Sequence, residues 1–244
     1  MLYQPNDYVL LAIFAHPDDE TFRAGGMLTL LARQGVRVQV VTATRGEAGS
    51  AGQTSASEPE ELAILRENEL CCACQVLQIE PPLFLDYKDG HLEDQASGKL
   101  RDNFLQIMEE VQPQILLSFG PDGLSGHPDH IAIGRCAVEA FQKYQKAGAL
   151  YHLAVPVSVK QSLGMNQIIA VPDQQVTVSL DVFSVWETKM KAIRCHASQL
   201  SSSPIMSQSY ERQLMFLSIE HYICFLSPNP DKDFIPILLK DYFQ

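Results

Sequence analysis

His16-Pro17-Asp18-Asp19-Glu20 sets one imidazole and three carboxylates within five residues. Ionisable groups gathered where a buried strand ends are costly unless something holds them, and a divalent metal is the simplest partner. A second run, His127-Pro128-Asp129-His130, repeats the chemistry. A catalytic zinc site uses three protein ligands and keeps one position for water. His16 and Asp19, three apart on a strand-to-helix turn, reach one crevice, and His130 supplies the third ligand. Asp18 then stands beside the bound water, whose pKa a metal lowers to about 7, and takes its proton. His127 is left to stabilise an oxyanion or protonate a leaving group. Asp129 would hold His127 protonated and oriented, because an adjacent carboxylate raises a histidine pKa. Spacing alone leaves Asp18 and Asp19 interchangeable as base and ligand. Glu20 reads as a helix-start residue or a support behind the ligands.

A plainer account exists for a single run: a histidine bonded to the backbone, and acids favoured at a helix start. Two such runs after neighbouring strands outweigh it. Residues 9–14 are a continuous apolar run, the mark of a strand buried on both faces. Helical spacing over 25–34 precedes a β-branched strand over 36–42. Residues 46–57 read as a Gly/Ser/Ala-rich loop, and Ser57-Glu58-Pro59-Glu60 as the start of a helix over 60–77. A short strand over 83–85, a helix over 100–111, a strand over 115–119, a helix over 129–144 and a strand over 151–155 follow. Gly25-Gly26 permits close helix–strand packing and is not a dinucleotide fingerprint.

Strands separated by helices predict parallel pairing with right-handed crossovers. The expected fold is α/β, a Rossmann-like, doubly wound, mostly parallel sheet with core order 3-2-1-4-5. Ligands of such sheets bind beyond the strand carboxyl ends where strand order reverses. That place lies between strands one and four, which carry the two His/Asp runs. Residues 156–244 are expected to extend the same domain as the 1–155 core. A hairpin (168–171 with 176–180), helices over 182–196 and 210–217 and a strand over 221–226 are predicted there, with an irregular tail from 227 to 234.

The 244 residues carry a formal net charge of −11, 46% hydrophobic and 19% charged residues. That supports a sizeable core and argues against nucleic acid, which needs clustered Lys and Arg. No apolar run reaches membrane-spanning length, and residues 1–7 do not read as a signal peptide. A cytoplasmic setting is expected. The six cysteines, Cys71, Cys72, Cys74, Cys136, Cys195 and Cys224, read as plain buried or half-buried thiols. Rossmann-like enzymes often assemble, so a homo-oligomer is among the expectations.

The two runs, the Thr44-Arg45-Gly46-Glu47-Ala48-Gly49-Ser50 loop and Arg66-Glu67-Asn68-Glu69-Leu70 resemble the LmbE-like, or PIG-L, family of zinc-dependent N-acetylglucosamine deacetylases. The resemblance spans roughly residues 8–155, with a looser echo around Lys191 and His196–Gln199. It implies His16, Asp19 and His130 as ligands of one Zn2+, with other divalent metals also accepted by such a donor set. It implies Asp18 as general base, His127 as the second catalytic group and Asp129 as the residue tuning it. Arg66 would point toward a substrate hydroxyl or phosphate. Arg45 is a further substrate-binding candidate, or else pairs with Glu47 across its loop. The expected reaction is a hydrolytic deacetylation of an N-acetylated amino sugar or related small molecule. The alternatives are metal-dependent hydrolysis of another amide or a phosphoester, and a non-catalytic nucleotide-binding module.

Overall fold

The computed structural model describes residues 7–52, 54, 56, 58–94, 97–227 and 234–242. The N-terminal stretch 1–6, Ser57 of the expected helix start and the tail residues 228–233 lie outside the described residues. Strands β1 (Val9–Phe14), β2 (Arg37–Thr42), β3 (Leu83–Phe84), β4 (Ile115–Ser118), β5 (Ala149–Ala154), β6 (Val178–Asp181) and β7 (Ile219–Leu226) form one sheet. Its order is β3-β2-β1-β4-β5-β7-β6. The first five strands pair parallel in the expected 3-2-1-4-5 order, and β7 adds antiparallel to β5. β1, β4 and β5 are buried along almost their whole length because helices cover both faces. Helices α1 (Asp19–Arg33), α2 (Pro59–Leu77) and α6 (Trp186–Cys195) pack together, and α3 (Ser97–Val111) packs on α4 (Pro128–Tyr144). The shorter α5 (Val157–Leu163), α7 (Ala197–Leu200), α8 (Tyr210–Leu217) and α9 (Phe234–Leu238) complete the helices.

The C-terminal third departs from the sequence reading at two points. The expected hairpin does not form. Val171 makes a lone bridge to Pro156, a 3-10 turn over Asp173–Gln175 breaks the extension, and β6 pairs with β7 instead. β7 offers the longer partner, and Val178 opposite Tyr222 is buried with it. The expected helix from 182 starts late. Asp181 accepts the Phe183 N–H at 2.8 Å, a 3-10 turn follows over Phe183–Val185, and α6 begins at Trp186.

A buried polar strap fixes this third to the core. Lys189 donates to Glu220 at 2.7 Å, and the same carboxylate accepts the N–H groups of Gly26 and Met27 and the Tyr222 hydroxyl. Gly26 is glycine because a Cβ there would lie 2.4 Å from Val182, so the close approach is to the β6–α6 connection and not to a core strand. Cys72 on α2 and Cys195 on α6 are joined as a disulfide, which corrects the reading of all six cysteines as thiols. Among the described residues no helix is long and apolar enough to cross a membrane.

Candidate active site

Both His/Asp runs stand at the β1/β4 switch point. β1 ends at Phe14, and the chain turns into α1 through Asp18, whose φ of 109° is strained for a residue with a Cβ. Local bonds hold the turn. Asp18 N–H donates to Glu20 Oε2 at 3.0 Å, and Asp18 O accepts from the Thr21 hydroxyl at 2.9 Å. Asp19 Oδ2 accepts the N–H groups of Ala15 and His16 at 3.1 and 2.9 Å. From the other side, α4 begins at Pro128 and delivers Asp129 and His130 in its first turn.

The hydrogen bonds fix which nitrogens face the centre. His130 Nδ1 donates to Gly123 O at 3.1 Å, which leaves Nε2 with its lone pair. His16 Nε2 donates to Asp129 Oδ2 at 3.2 Å and faces Asp89 Oδ1 at 2.9 Å, which leaves Nδ1 with its lone pair. His130 Nε2 lies 3.2 Å from His16 Nδ1 and 3.3 Å from Asp19 Oδ1. Three acceptors thus converge on one point. A divalent cation satisfies such a set, and the donor chemistry of two imidazoles and a carboxylate fits one. A second grouping, His16 with His127 and Asp129, shares the same imidazole.

Burial alone would depress the His16 pKa, but without a cation its bonds to Asp129 and Asp89 push it up to about 10, so a divalent ion held here would take the place of the Nδ1 proton. Burial pushes Asp19 up, yet His130 and His16 more than reverse this and hold it below the ordinary carboxylate range. Asp18 is raised to about 6, chiefly by burial, with Arg66 opposing and Asp19 reinforcing the rise. The His127 pKa is lowered, first by burial and then by His130 and His16.

Several expected partnerships are different. The Asp129 carboxylate does not hold His127. It accepts from His16 and from the N–H groups of Gly90 and Leu92 at 2.8 and 3.0 Å, while the Asp129 N–H donates to His127 Nδ1 at 3.2 Å. Residues two apart at a helix start do not face each other, and sequence adjacency misleads there. Arg66 lines the site, but its guanidinium donates to Gly46 O and Pro17 O and lies 3.3 Å from Asp18 Oδ2. Arg45 pairs with Glu67 and Asp86, not Glu47, at the edge of the β2 loop. Glu47 instead accepts the Asp89 N–H at 2.8 Å, and Asp89 Oδ2 accepts the Ala48 N–H at 3.0 Å.

Sequence reasoning missed Asp89. The signal was an Asp-Gly turn beyond a strand on the ligand-binding edge. His196, within the echoed stretch of the C-terminal third, is a structural histidine, fully buried against Glu20. Gln199 arrives as the echo in the C-terminal third suggested, whereas Lys191 is exposed. A cavity of about 320 Å³ holds His16, Asp18, Asp19, Arg66, Asp89, His127, His130 and Gln199.

A family model described as PIG-L: GlcNAc-PI de-N-acetylase matches residues 11–141. The chain is 29% identical over 255 aligned positions to a 1D-myo-inositol 2-acetamido-2-deoxy-alpha-D-glucopyranoside deacetylase of Acidothermus cellulolyticus, covering 88% of this chain and 87% of that protein. It is 31% identical over 191 positions to a probable N-acetyl-alpha-D-glucosaminyl L-malate deacetylase 2 of Bacillus cereus, covering 78% and 83%. The solved N,N'-diacetylchitobiose deacetylase of Pyrococcus horikoshii matches with a TM-score of 0.71 at 20% identity, over 95% of this chain and 91% of that one. The 4-carboxy-2-hydroxymuconate hydratase of Pseudomonas putida matches with a TM-score of 0.67 at 20% identity, over 92% and 99%. Those two likenesses show the fold alone, and the fold carries more than one chemistry.

Proposed function

The chain belongs to the PIG-L family described as GlcNAc-PI de-N-acetylases, and from that premise we propose that it hydrolyses the amide of an N-acetylated amino sugar of N-acetylglucosaminyl type. The observation that carries the reading is the convergence of His16 Nδ1, Asp19 Oδ1 and His130 Nε2, with Asp18 at its edge. In this reading these three residues hold one divalent ion, for which zinc is well suited and iron, cobalt or manganese acceptable. When bound, the ion polarises the amide carbonyl and acidifies water.

The chain's own residues do the rest. Asp18, with its pKa near 6, is ionised at neutral pH and takes the proton of the attacking water. His127 is neutral there, and because its Nδ1 accepts from Asp129 N–H, its Nε2 carries the hydrogen. That N–H donates to the carbonyl oxygen as negative charge gathers on it. The C–N bond breaks when the leaving nitrogen receives the proton held by Asp18, giving acetate and a free amine. Arg66 is a positioning residue that anchors Pro17 and Asp18. A phosphoester reading wants a cation free to grip phosphate, and both Arg66 and Arg45 are engaged by protein acceptors.

The test is metal quantification together with a fluorescamine screen for amines released from a panel of N-acetylated sugars. Asp18→Ala is expected to lower kcat by about 10²–10⁴-fold while metal stays bound. A near-wild-type rate in that variant overturns the mechanism.

A further inference from the structure

The ligand cluster sits between two cavities. The first, described above, spreads toward β2 and β3 through Ala48, Arg66 and Asp89. The second, of about 280 Å³, spreads the other way, over β4 and β5, against Phe22, Phe119, Leu124 and Leu153. Both share Asp18, Asp19, His130 and Gln199. An amide cleaved at their junction has its amine half on one side and its acyl half on the other. The lobe rich in polar side chains suits the sugar hydroxyls, which leaves the more apolar lobe for the acyl group. An acetyl methyl fills about 30 Å³, one water's share of space. Most of the second lobe would stay empty.

A second observation concerns Arg23, which lines this lobe and is 4% exposed. It donates to Phe216 O at 2.7 Å and Ala154 O at 3.2 Å, but its buried Nε has no partner among the described residues. The nearby carboxylate, Glu220, is already claimed by Lys189 at 2.7 Å. A buried guanidinium short of both a hydrogen-bond acceptor and a counter-charge is costly. A ligand that supplies both relieves the cost.

We propose that the second lobe is an acyl pocket for N-acyl groups longer than acetyl that end in an acceptor oxygen, with short dicarboxylic acyl groups such as succinyl the best-matched class. The proposal rests on the amide-hydrolase reading and widens it from acetyl to a second class of acyl group on the same amine. Water adds to the acyl carbon and the C–N bond breaks, so an N-succinyl amine yields succinate and the amine. Apolar walls hold the methylenes, and Arg23 holds the terminal carboxylate.

The experiment compares N-acetyl-, N-butanoyl- and N-succinyl-glucosamine on the metal-loaded full chain. The succinyl amide is expected to exceed the acetyl amide by about tenfold or more in kcat/KM, with butanoyl between them. Arg23→Met should erase the advantage of succinyl over butanoyl, read as the ratio of the two kcat/KM values within that variant. Ser203→Phe, at the rim of the lobe, should lower kcat/KM for both longer amides relative to acetyl. A thermal-shift titration of metal-free protein with acetate, butyrate and succinate reads the pocket without turnover, and only succinate should raise Tm, through Arg23. If acetyl is the fastest amide and succinate shifts Tm no more than acetate, the acyl pocket is wrong and the deacetylase reading stands. If no amide is cleaved yet the succinate shift depends on Arg23, the pocket stands and the hydrolase reading falls.

Discussion

Glu20 Oε1 and His196 Nε2 lie 2.6 Å apart, joined across 176 positions of sequence. The other Glu20 oxygen holds the N–H of Asp18. Glu20 therefore links a buried imidazole from the C-terminal third to the strained turn that presents the proposed base. Burial works against charge on His196, but the Glu20 carboxylate keeps its pKa above the ordinary range. Glu20→Gln should weaken this brace and let the Asp18 turn relax. Supports behind a metal site are worth about 10–100-fold, and a fall of that size in kcat with KM nearly unchanged is expected. Steady-state amine release and metal content, measured together, check it. Unchanged kcat would show that the turn holds without the brace.

The strands of the core and both His/Asp runs were legible because their signals are local. Continuous apolar stretches mark β1 and β4, and three-residue spacing sets His16 and Asp19 on one turn. What stayed hidden arrives over long distances. Asp89 reaches His16 from beyond β3, which has only two residues, and His196 reaches Glu20 from a helix end no pattern ties to β1. The Asp129 carboxylate was misplaced because proximity in sequence to His127 outweighed helical direction, whereas its hydrogen-bond partner His16 is 113 positions away.

Asp89 should matter for metal affinity. Its Oδ1 lies 2.9 Å from His16 Nε2, and with Asp129 it fixes the tautomer that turns Nδ1 inward. Asp89→Ala also frees the Ala48 N–H, loosening the loop that walls the cavity. Metal affinity should fall by about 10–100-fold, read by competition with a chromogenic chelator. Wild-type affinity in Asp89→Ala would leave Asp129 as the sufficient support.

Gly134 lets α4 approach the end of β4. A Cβ there would lie 2.7 Å from both Gly120 O and Phe119 O, which are backbone atoms with little room to give. Phe119 stacks on His130 at 4.0 Å between ring centroids. Gly134→Ala should therefore cost about 1–3 kcal/mol by overpacking, seen as a lower Tm. It should also weaken metal binding, because the displaced helix carries His130. Loss of stability with wild-type metal affinity would show that the ring stack absorbs the shift.

His152 offers a pH-dependent test remote from the ligands. It is 2% exposed on β5, stacks on Phe225 at 4.4 Å, and burial pulls its pKa down to about 4. In the unfolded chain an imidazole titrates near 6.5. Between those values the unfolded state binds the extra proton, so native stability is intact above pH 6.5 and is lost as pH falls toward 4. The loss attributable to this group is about 3 kcal/mol. Its Nε2 has no partner among the described residues, so a phenyl ring in its place gives up no hydrogen bond at that atom. His152→Phe should match the wild type in urea denaturation at pH 7.5 and exceed it at pH 4.5. If the two proteins lose stability equally over that range, His152 is not one of the groups that drive acid unfolding.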